Sequence, residues 1–355
     1  MIAPSSHNRS SSERVYRLFL YIYPARFRRA YGHQMAQTFR DCCRMARQQA
    51  GTKGLLDLWV HTLYDLVVTA STEQISAGLS LLKQFFGLEK EYTMSNYGLN
   101  LDVALRTDIG RKRQLNEDAM ISTVPQDPQV MQKKGALFVV ADGMGGHTKG
   151  DRASEMAVNT VRQVYYQDTS DDLAASLQHA IQHANQVIYQ DNAANFQQAE
   201  ELVKHGMGTT CVAAVLQADK VYVANAGDSL AYVIRSGQVK QIAQNHSWVA
   251  EQVRTGAMTE EEAKAQGKNN MITRCLGIHA DLDVYVTSEQ VQDGDVLVLC
   301  TDGLHTLISE DELRTIVEQY GPQESVQQLV ERANENGGPD NITAVVVRVS
   351  LEDTV

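Results

Sequence analysis

Four aspartates in this 355-residue chain stand where apolar, strand-like segments begin or end. In chain order they are Asp118 after RQLNE, Asp142 after LFVVA, Asp302 after VLVLCT and Asp340 before NITAVVV. One Asp-Gly pair is typical of an ordinary turn, but four acids in similar places indicate a shared role. Carboxylates that meet raise one another's pKa unless a cation neutralises them, and oxygen ligands favour Mg²⁺ or Mn²⁺. Four acids suffice for two ions, and a water shared by two ions is suited to in-line attack on phosphorus.

An arginine accompanies the first of these acids. Arg113 precedes Asp118 by five residues in GRKRQLNED, so one turn and strand could present both side chains together. The planar guanidinium suits phosphate oxygens. Taken alone, Arg111 and Arg113 are better explained as solvated surface side chains; the aspartates favour a phosphate contact for Arg113.

The elements that position these residues are short strands separated by turns. Segments such as GALFVVAD, GDVLVLCTDG and DNITAVVVRVS are rich in β-branched residues, and such composition predicts strands. Helical patterns cover residues 153–166, 173–192, 310–320 and 324–336. Strands interleaved with helix pairs predict an α+β fold, in which a central antiparallel β-sandwich carries helix pairs on its outer faces.

Charge divides the chain near residue 95. Residues 1–95 carry 12 lysines and arginines against seven aspartates and glutamates, whereas the remainder carries 20 against 36. The first segment has helical periodicity and predicts a small all-α domain, and residues 96–352 form the second domain. For the basic segment, an amphipathic cap or a dimerisation element is favoured over contact with an anionic membrane surface.

Composition excludes several other classes. The five cysteines are an odd number without a CxxC pattern, which indicates neither a disulfide framework nor a zinc site. No apolar stretch reads as a signal peptide or a membrane span. We therefore expect a soluble, cytoplasmic protein without a nucleic-acid partner. Dinucleotide binding is also excluded, because GMGGHT places Thr148 where the last glycine of GxGxxG is required.

The ordered motifs resemble those of the bacterial metal-dependent (PPM-type, type 2C) protein serine/threonine phosphatases. The resemblance spans residues 101–349 and is carried by TDIGRKRQLNEDA, FVVADGMGGHTKGDRAS, GTTCVAAVL, VANAGDSLAY, HSWVAEQVRTGAMTEEEA, ITRCLG, LCTDGLHTLIS and GGPDNITAVVV. It implies a β-sandwich flanked by helices, with two Mn²⁺ or Mg²⁺ ions at one edge. It also implies hydrolysis of phosphoserine and phosphothreonine in proteins by direct attack of a water that bridges the ions, and an opposing serine/threonine kinase.

The resemblance also assigns individual residues. Arg113 matches the phosphate-binding arginine. Glu117 belongs to the acidic pair of the same motif and would reach metal through a bound water. The remaining matches are the metal ligands Asp118, Asp142, Asp302 and Asp340, the carbonyl of Gly143, and Asp228 of a third, weaker metal site. Glycine at position 143 would let the backbone approach an ion closely.

The chain departs from the family pattern in several places. Leu230 replaces an arginine beside Asp228, and Thr306 replaces an acid, so the third metal site loses an expected ligand. Met144 occupies the place of a histidine that protonates the leaving group in many relatives. His147, three residues later, is a weak candidate for that role.

The segment of residues 247–273, called the flap below, predicts two short helices. Gly256 would form the turn, and Thr259 with Glu262 would form a capping box. Met258, Lys268 and Asn269 are candidates for substrate contact, although each is also explained as a solvated loop residue. Two alternatives to an active protein phosphatase remain: a catalytically silent binding module, and a phosphohydrolase acting on a small metabolite.

Overall fold

The computed structural model describes residues 99–145, 150–196, 198–268 and 270–351. The chain divides into two units, Met1–Glu91 and Tyr92–Val355, and the described residues all belong to the second unit. The predicted all-α domain of residues 1–95 lies outside the described residues. Among the described helices, none is both long enough and apolar enough to cross a lipid bilayer.

The described strands form two antiparallel sheets. In chain order the strands are β1 (Leu99–Asp108), β2 (Asp118–Thr123), β3 (Ala136–Met144), β4 (Gly208–Thr209), β5 (Cys211–Gln217), β6 (Lys220–Ala226), β7 (Leu230–Arg235), β8 (Gln238–Gln241), β9 (Tyr285–Gln290), β10 (Val296–Cys300) and β11 (Ile342–Leu351). The first sheet has the order β1-β11-β10-β7-β8, and the second has the order β2-β3-β5-β6-β9, with β4 paired to β3.

The described helices lie outside the two sheets. They are α1 (Pro128–Lys134), α2 (Gly150–Gln167), α3 (Leu173–Asn195), α4 (Ala199–His205), α5 (Trp248–Arg254), α6 (Glu260–Ala265), α7 (Asp302–His305), α8 (Glu310–Gln319) and α9 (Pro322–Glu335). Helices α2 and α3 pack together against the second sheet, while α9 packs against β1 and β11 with α8 beside it. The predicted sandwich with flanking helix pairs is confirmed.

Strand β3 shows how the layers form. Phe138 and Val140 belong to the core between the sheets, whereas Leu137, Val139 and Ala141 belong to the core under α2 and α3. Successive side chains of a strand point to opposite faces, so a continuous apolar run is required where both faces are covered. This is why LFVVA contains no polar residue.

Two element boundaries differ from those predicted. Strand β3 continues two residues past Asp142, because β4 pairs with Gly143 and Met144 and extends it. Helix α2 begins at Gly150 and not near Ala153. Asp142 therefore lies within the strand and not at its tip.

The flap contains the two predicted helices, α5 and α6. Gly256 has a φ of +69°, a left-handed conformation that favours glycine. Thr259 and Glu262 form the predicted capping box at the start of α6. The N–H of Trp248 donates to the carbonyl of Met271 at 2.7 Å, which joins the two ends of the flap.

Candidate metal centre

Two neighbouring strands bring the first two aspartates together. Asp118 begins β2 and lies directly opposite Asp142 of β3 in the antiparallel register. Residues directly opposite each other on paired strands present their side chains on the same face, where like charges repel. This pair of carboxylates therefore needs a proton or a cation nearby.

The carboxylate of Asp118 is held from the other sheet. Its Oδ2 accepts hydrogen bonds from the hydroxyls of Thr301 at 2.9 Å and Thr343 at 2.6 Å. Its Oδ1 is shielded from solvent and has no hydrogen-bond partner among the described residues. Burial raises the pKa of Asp118 to about 7; the two threonine bonds oppose this rise, and the charges of Asp302 and Asp340 add to it. One oxygen is thus fixed, and the other is left for a ligand.

Asp142 is positioned through its backbone. Its N–H donates to the hydroxyl of Thr210 at 2.9 Å, and its carbonyl accepts from the hydroxyl of Thr209 at 2.9 Å. Burial raises the pKa of Asp142 well above its ordinary value, and the charges of Asp118 and Asp302 raise it further. An ionised Asp142 therefore requires a compensating positive charge.

Asp302 is the first residue of α7, and Thr301 separates it from the end of β10. Its Oδ1 is buried and, within the part of the chain that the structure describes, has no hydrogen-bond partner, as for Asp118. A side chain at the next position, Gly303, would overlap the carbonyl oxygen of Asn341. Glycine at this position therefore allows the turn that carries Asp302 to pack directly against the segment that carries Asp340.

Asp340 binds the predicted phosphate-binding arginine. The Nη2 of Arg113 donates to the Oδ2 of Asp340 at 2.7 Å, and its Nη1 lies 4.0 Å from Glu117 Oε2. The hydrogen bond to Asp340 raises the pKa of Arg113, against a partial burial that lowers it. The Arg113 side chain is 48% exposed, so this cation faces solvent beside the carboxylates.

Glu117 contacts the beginning of helix α2. Burial raises the pKa of Glu117, while a hydrogen bond from the N–H of Gly150 lowers it. A side chain at Gly150 would overlap the Glu117 carboxylate, and one at Gly143 would overlap the carbonyl of Gly150. Close packing of three backbone segments is thus a reason for glycine at position 143, beside the predicted approach of its carbonyl to an ion.

Asp228 lies in the turn between β6 and β7 and is 8% exposed. Burial raises its pKa to about 7, and the charge of Asp302 adds to that rise. Its backbone carbonyl accepts a hydrogen bond of 2.9 Å from His305 Nε2. The hydroxyl of Thr306 donates to the carbonyl of Asp302 at 2.6 Å, so Thr306 contributes structure here and no charge.

The residues present fit a divalent cation. The described part of the chain contains no three His, Cys, Asp or Glu side chains that already surround one ion position. Mg²⁺ and similar ions keep several waters and are usually bound through one or two carboxylates, so a closed cluster is not required. The unpartnered Oδ1 atoms of Asp118 and Asp302 are oxygens of this kind. A cation would also offset the burial and the neighbouring negative charges that raise the pKa of Asp142.

Two of the more weakly predicted residues lie outside the described residues: His147 and Asn269. Met258 of the flap is half-buried. The Nζ of Lys268 lies 4.6 Å from the ring centroid of Trp248, a cation–π contact. Lys268 therefore already has a contact within the flap.

Several residues that organise the centre were not predicted. They are Gly150, Thr301, His305, Asn341 and Thr343. The hydroxyls of Thr301 and Thr343 face Asp118, and both residues are fully buried. The sequence feature that could have predicted the two threonines is a polar residue in or beside an apolar run, as in VLVLCT and NITAVVV. Such a residue needs a hydrogen-bond partner when it is buried.

Comparisons with known proteins agree with this architecture. The family model described as protein phosphatase 2C matches residues 111–346. The serine/threonine phosphatase Stp of Listeria innocua is 35% identical over 253 residues, which cover 69% of this chain and 95% of that protein. The protein phosphatase PhpP of Streptococcus pneumoniae is 34% identical over 258 residues, which cover 71% of this chain and 99% of that protein.

Solved structures show the same fold. The catalytic domain of the phosphatase PstP, crystallised with two manganese ions, has a TM-score of 0.59 and 31% identity, covering 71% of this chain and 99% of its own. The phosphatase Stp1 of Staphylococcus aureus has a TM-score of 0.61 and 31% identity, and the match covers 74% of this chain and 100% of that protein. The matched residues exceed half of the chain and include the whole carboxylate centre. The chain belongs to the protein phosphatase 2C family.

Proposed function

We propose that this chain is a metal-dependent protein phosphatase that hydrolyses phosphoserine and phosphothreonine in proteins. The observation that carries the proposal is the pair of buried, unpartnered carboxylate oxygens on Asp118 and Asp302, beside the half-exposed guanidinium of Arg113. The family match and the activity named for the Listeria and Streptococcus relatives support it.

The cofactor that suits this site is a pair of Mn²⁺ or Mg²⁺ ions, as in the manganese complex of PstP. The proposed ligands are the carboxylates of Asp118, Asp142, Asp302 and Asp340 and the carbonyl of Gly143. Glu117, which is tied to the start of α2, would act through water. When bound, the ions supply a nucleophilic water at neutral pH and neutralise charge on the phosphoryl group.

Arg113 would bind the phosphoryl oxygens of the substrate. A guanidinium has five N–H donors, and the structure assigns one short bond, from Nη2 to Asp340. The exposed remainder of the group is free to make the bidentate contact that phosphate favours. Asp340 would then orient Arg113 while also serving the metal site.

The proton for the leaving group does not come from residue 144, because a methionine side chain has no acidic proton. A third, weaker ion would use Asp228, whose carboxylate is close enough to Asp302 for their charges to interact. Thr306 supplies no second carboxylate there. We therefore propose that two ions are sufficient for activity. The substrates would be phosphoproteins, and the opposing enzyme would be a serine/threonine kinase.

The test is the turnover of a phosphothreonine peptide by the full chain with Mn²⁺ and with chelator. Wild type should be active only with metal, and both Asp142→Asn and Asp302→Asn should lose at least about a hundredfold in turnover. Asp171→Asn is the matched control, since Asp171 is an exposed residue whose side chain pairs with Lys133. Metal-independent turnover in all variants would contradict the mechanism.

Two other outcomes separate the alternatives. A wild type that binds the phosphopeptide without hydrolysing it would favour a binding module. A wild type that hydrolyses small phosphate monoesters but no phosphopeptide would favour a metabolite phosphohydrolase.

A further inference from the structure

One side chain joins both ends of the loop that carries Arg113. The Nδ2 of Asn341 donates to the carbonyls of Ile109 at 3.0 Å and Leu115 at 2.9 Å. Its Oδ1 accepts from the N–H of Glu117 at 2.8 Å. Residues 109–117 connect β1 to β2, and Asn341 closes this connection into a fixed shape.

The backbone just before Asn341 contacts the same loop. The N–H of Arg111 donates to the carbonyl of Gly338 at 2.7 Å. A side chain at Gly110 would overlap the carbonyl oxygen of Asp340, and Gly110 has a φ of +79°. The chain from Gly338 to Asn341 therefore lies directly against the loop.

The ion pair of Arg113 does not by itself explain its position. The side chains of Arg113 and Asp340 are 48% and 30% exposed, and exposed ion pairs contribute little because water competes for both partners. Asn341, by contrast, is 4% exposed, and all three hydrogen bonds of its side chain join it to the loop. Losing a buried partner is more harmful than losing an exposed one.

We propose that Asn341 is a positioning residue, which fixes the loop of residues 109–117 and so aims Arg113 at the phosphoryl group. The proposal rests on the function proposed above. It predicts that Asn341 acts on phosphate binding through Arg113, and not merely on the stability of the domain.

The experiment is a double-mutant cycle in the full chain. Asn341→Asp keeps the shape and the acceptor for Glu117 but loses both donors; Asn341→Ala loses all three bonds. Each should raise the KM for a phosphothreonine peptide and the inhibition constant of inorganic phosphate about tenfold, with a smaller fall in kcat. In an Arg113→Ala background, the same substitutions should change both constants less than about twofold, because residues that act through one another are not additive.

Hydrogen exchange of the metal-free protein provides a readout independent of activity. The amide of Glu117 should exchange faster in Asn341→Ala than in wild type, and much less so in Asn341→Asp, which keeps its acceptor. Asn159→Asp is the matched control: Asn159 is exposed on α2 and its amide bonds only within that helix. It should leave KM, phosphate inhibition and exchange unchanged.

Three results would overturn the inference. Additive effects of Asn341 and Arg113 substitutions, in an active wild type, would show that Asn341 acts only on stability. Unchanged phosphate inhibition despite faster exchange of the Glu117 amide would show that the loop does not aim Arg113. A wild type without metal-dependent turnover would overturn the proposed function, and the role of Asn341 with it.

Discussion

The most specific consequence of the carboxylate centre is that removing one charge should stabilise the metal-free protein. The perturbation is Asp118→Asn. The new amide can keep its oxygen toward the hydroxyls of Thr301 and Thr343, which now bond Oδ2. Its NH₂ group then replaces the buried oxygen that has no partner. The side chain keeps its shape and loses its charge.

The magnitude follows from the pKa. Burial and neighbouring charges raise the pKa of Asp118 from 3.8 to about 7. A pKa shift of about three units, at about 1.36 kcal/mol per unit, corresponds to a destabilisation of the folded protein by about 4 kcal/mol when Asp118 is ionised. Hydroxyl bonds to a neutral amide are weaker than those to a carboxylate. We therefore expect a net stabilisation of about 1–3 kcal/mol at pH 8.

The stability difference between Asp118→Asn and wild type should depend on pH. A folded-state pKa above the unfolded value means that the native protein binds the proton more tightly, so its stability falls as pH rises between about 4 and 7. The advantage of Asp118→Asn should thus be small at pH 4.5 and nearly full at pH 8. In Mn²⁺ the order should reverse, because wild type gains binding free energy that the variant loses.

The assay is thermal unfolding of the full chain in chelator at pH 4.5, 6.5 and 8, repeated at pH 8 with Mn²⁺. Each kcal/mol should shift the midpoint by about 2–4 °C in a domain of this size. Asp171→Asn controls for charge removal at the surface. The reasoning fails if Asp118→Asn is less stable than wild type in chelator at pH 8, or if the difference does not grow with pH.

Two further substitutions test the supports of the centre. Thr343→Val removes a hydroxyl donor from Asp118 without changing shape and should weaken Mn²⁺ binding about 3- to 10-fold by calorimetry; Thr315→Val, on the exposed face of α8, should not. Gly150→Ala places a methyl group against the Glu117 carboxylate and should lower both the unfolding midpoint and Mn²⁺ affinity, whereas Gly321→Ala, with open space around it, should lower neither. Unchanged Mn²⁺ binding in Thr343→Val or in Gly150→Ala would contradict the proposed role of that residue in supporting the metal site.

The sandwich could be predicted from the sequence because its strands carry strong local patterns. A continuous apolar run such as LFVVA requires a strand covered on both faces, and β3 is covered in this way. The end of β3 could not be predicted, because its last two residues pair with β4, more than 60 residues further along the chain. Pairing partners of this kind are not encoded within the strand itself.

Some residues of the candidate site could likewise be predicted from the sequence, and others could not. Its aspartates stand out in the sequence because four of them stand at the ends of apolar, strand-like segments, and the family resemblance assigned them roles. Thr343 and Asn341 look like ordinary polar residues until the register places β11 beside β1, with Thr343 opposite Thr107. Their function depends on which loop and which carboxylate the register brings to them.

Burial explains why the acids of the centre resist ionisation in the metal-free protein. Three buried acids, Asp118, Asp142 and Asp228, have raised pKa values mainly because burial disfavours their charged forms. The hydroxyls on Asp118 compensate this only in part, so the metal-free fold is most stable when these groups hold protons. A divalent cation needs them ionised and must displace those protons. Metal affinity should therefore rise with pH over the interval in which the metal-free fold loses stability, and the two effects together make the ion a structural component of the active protein.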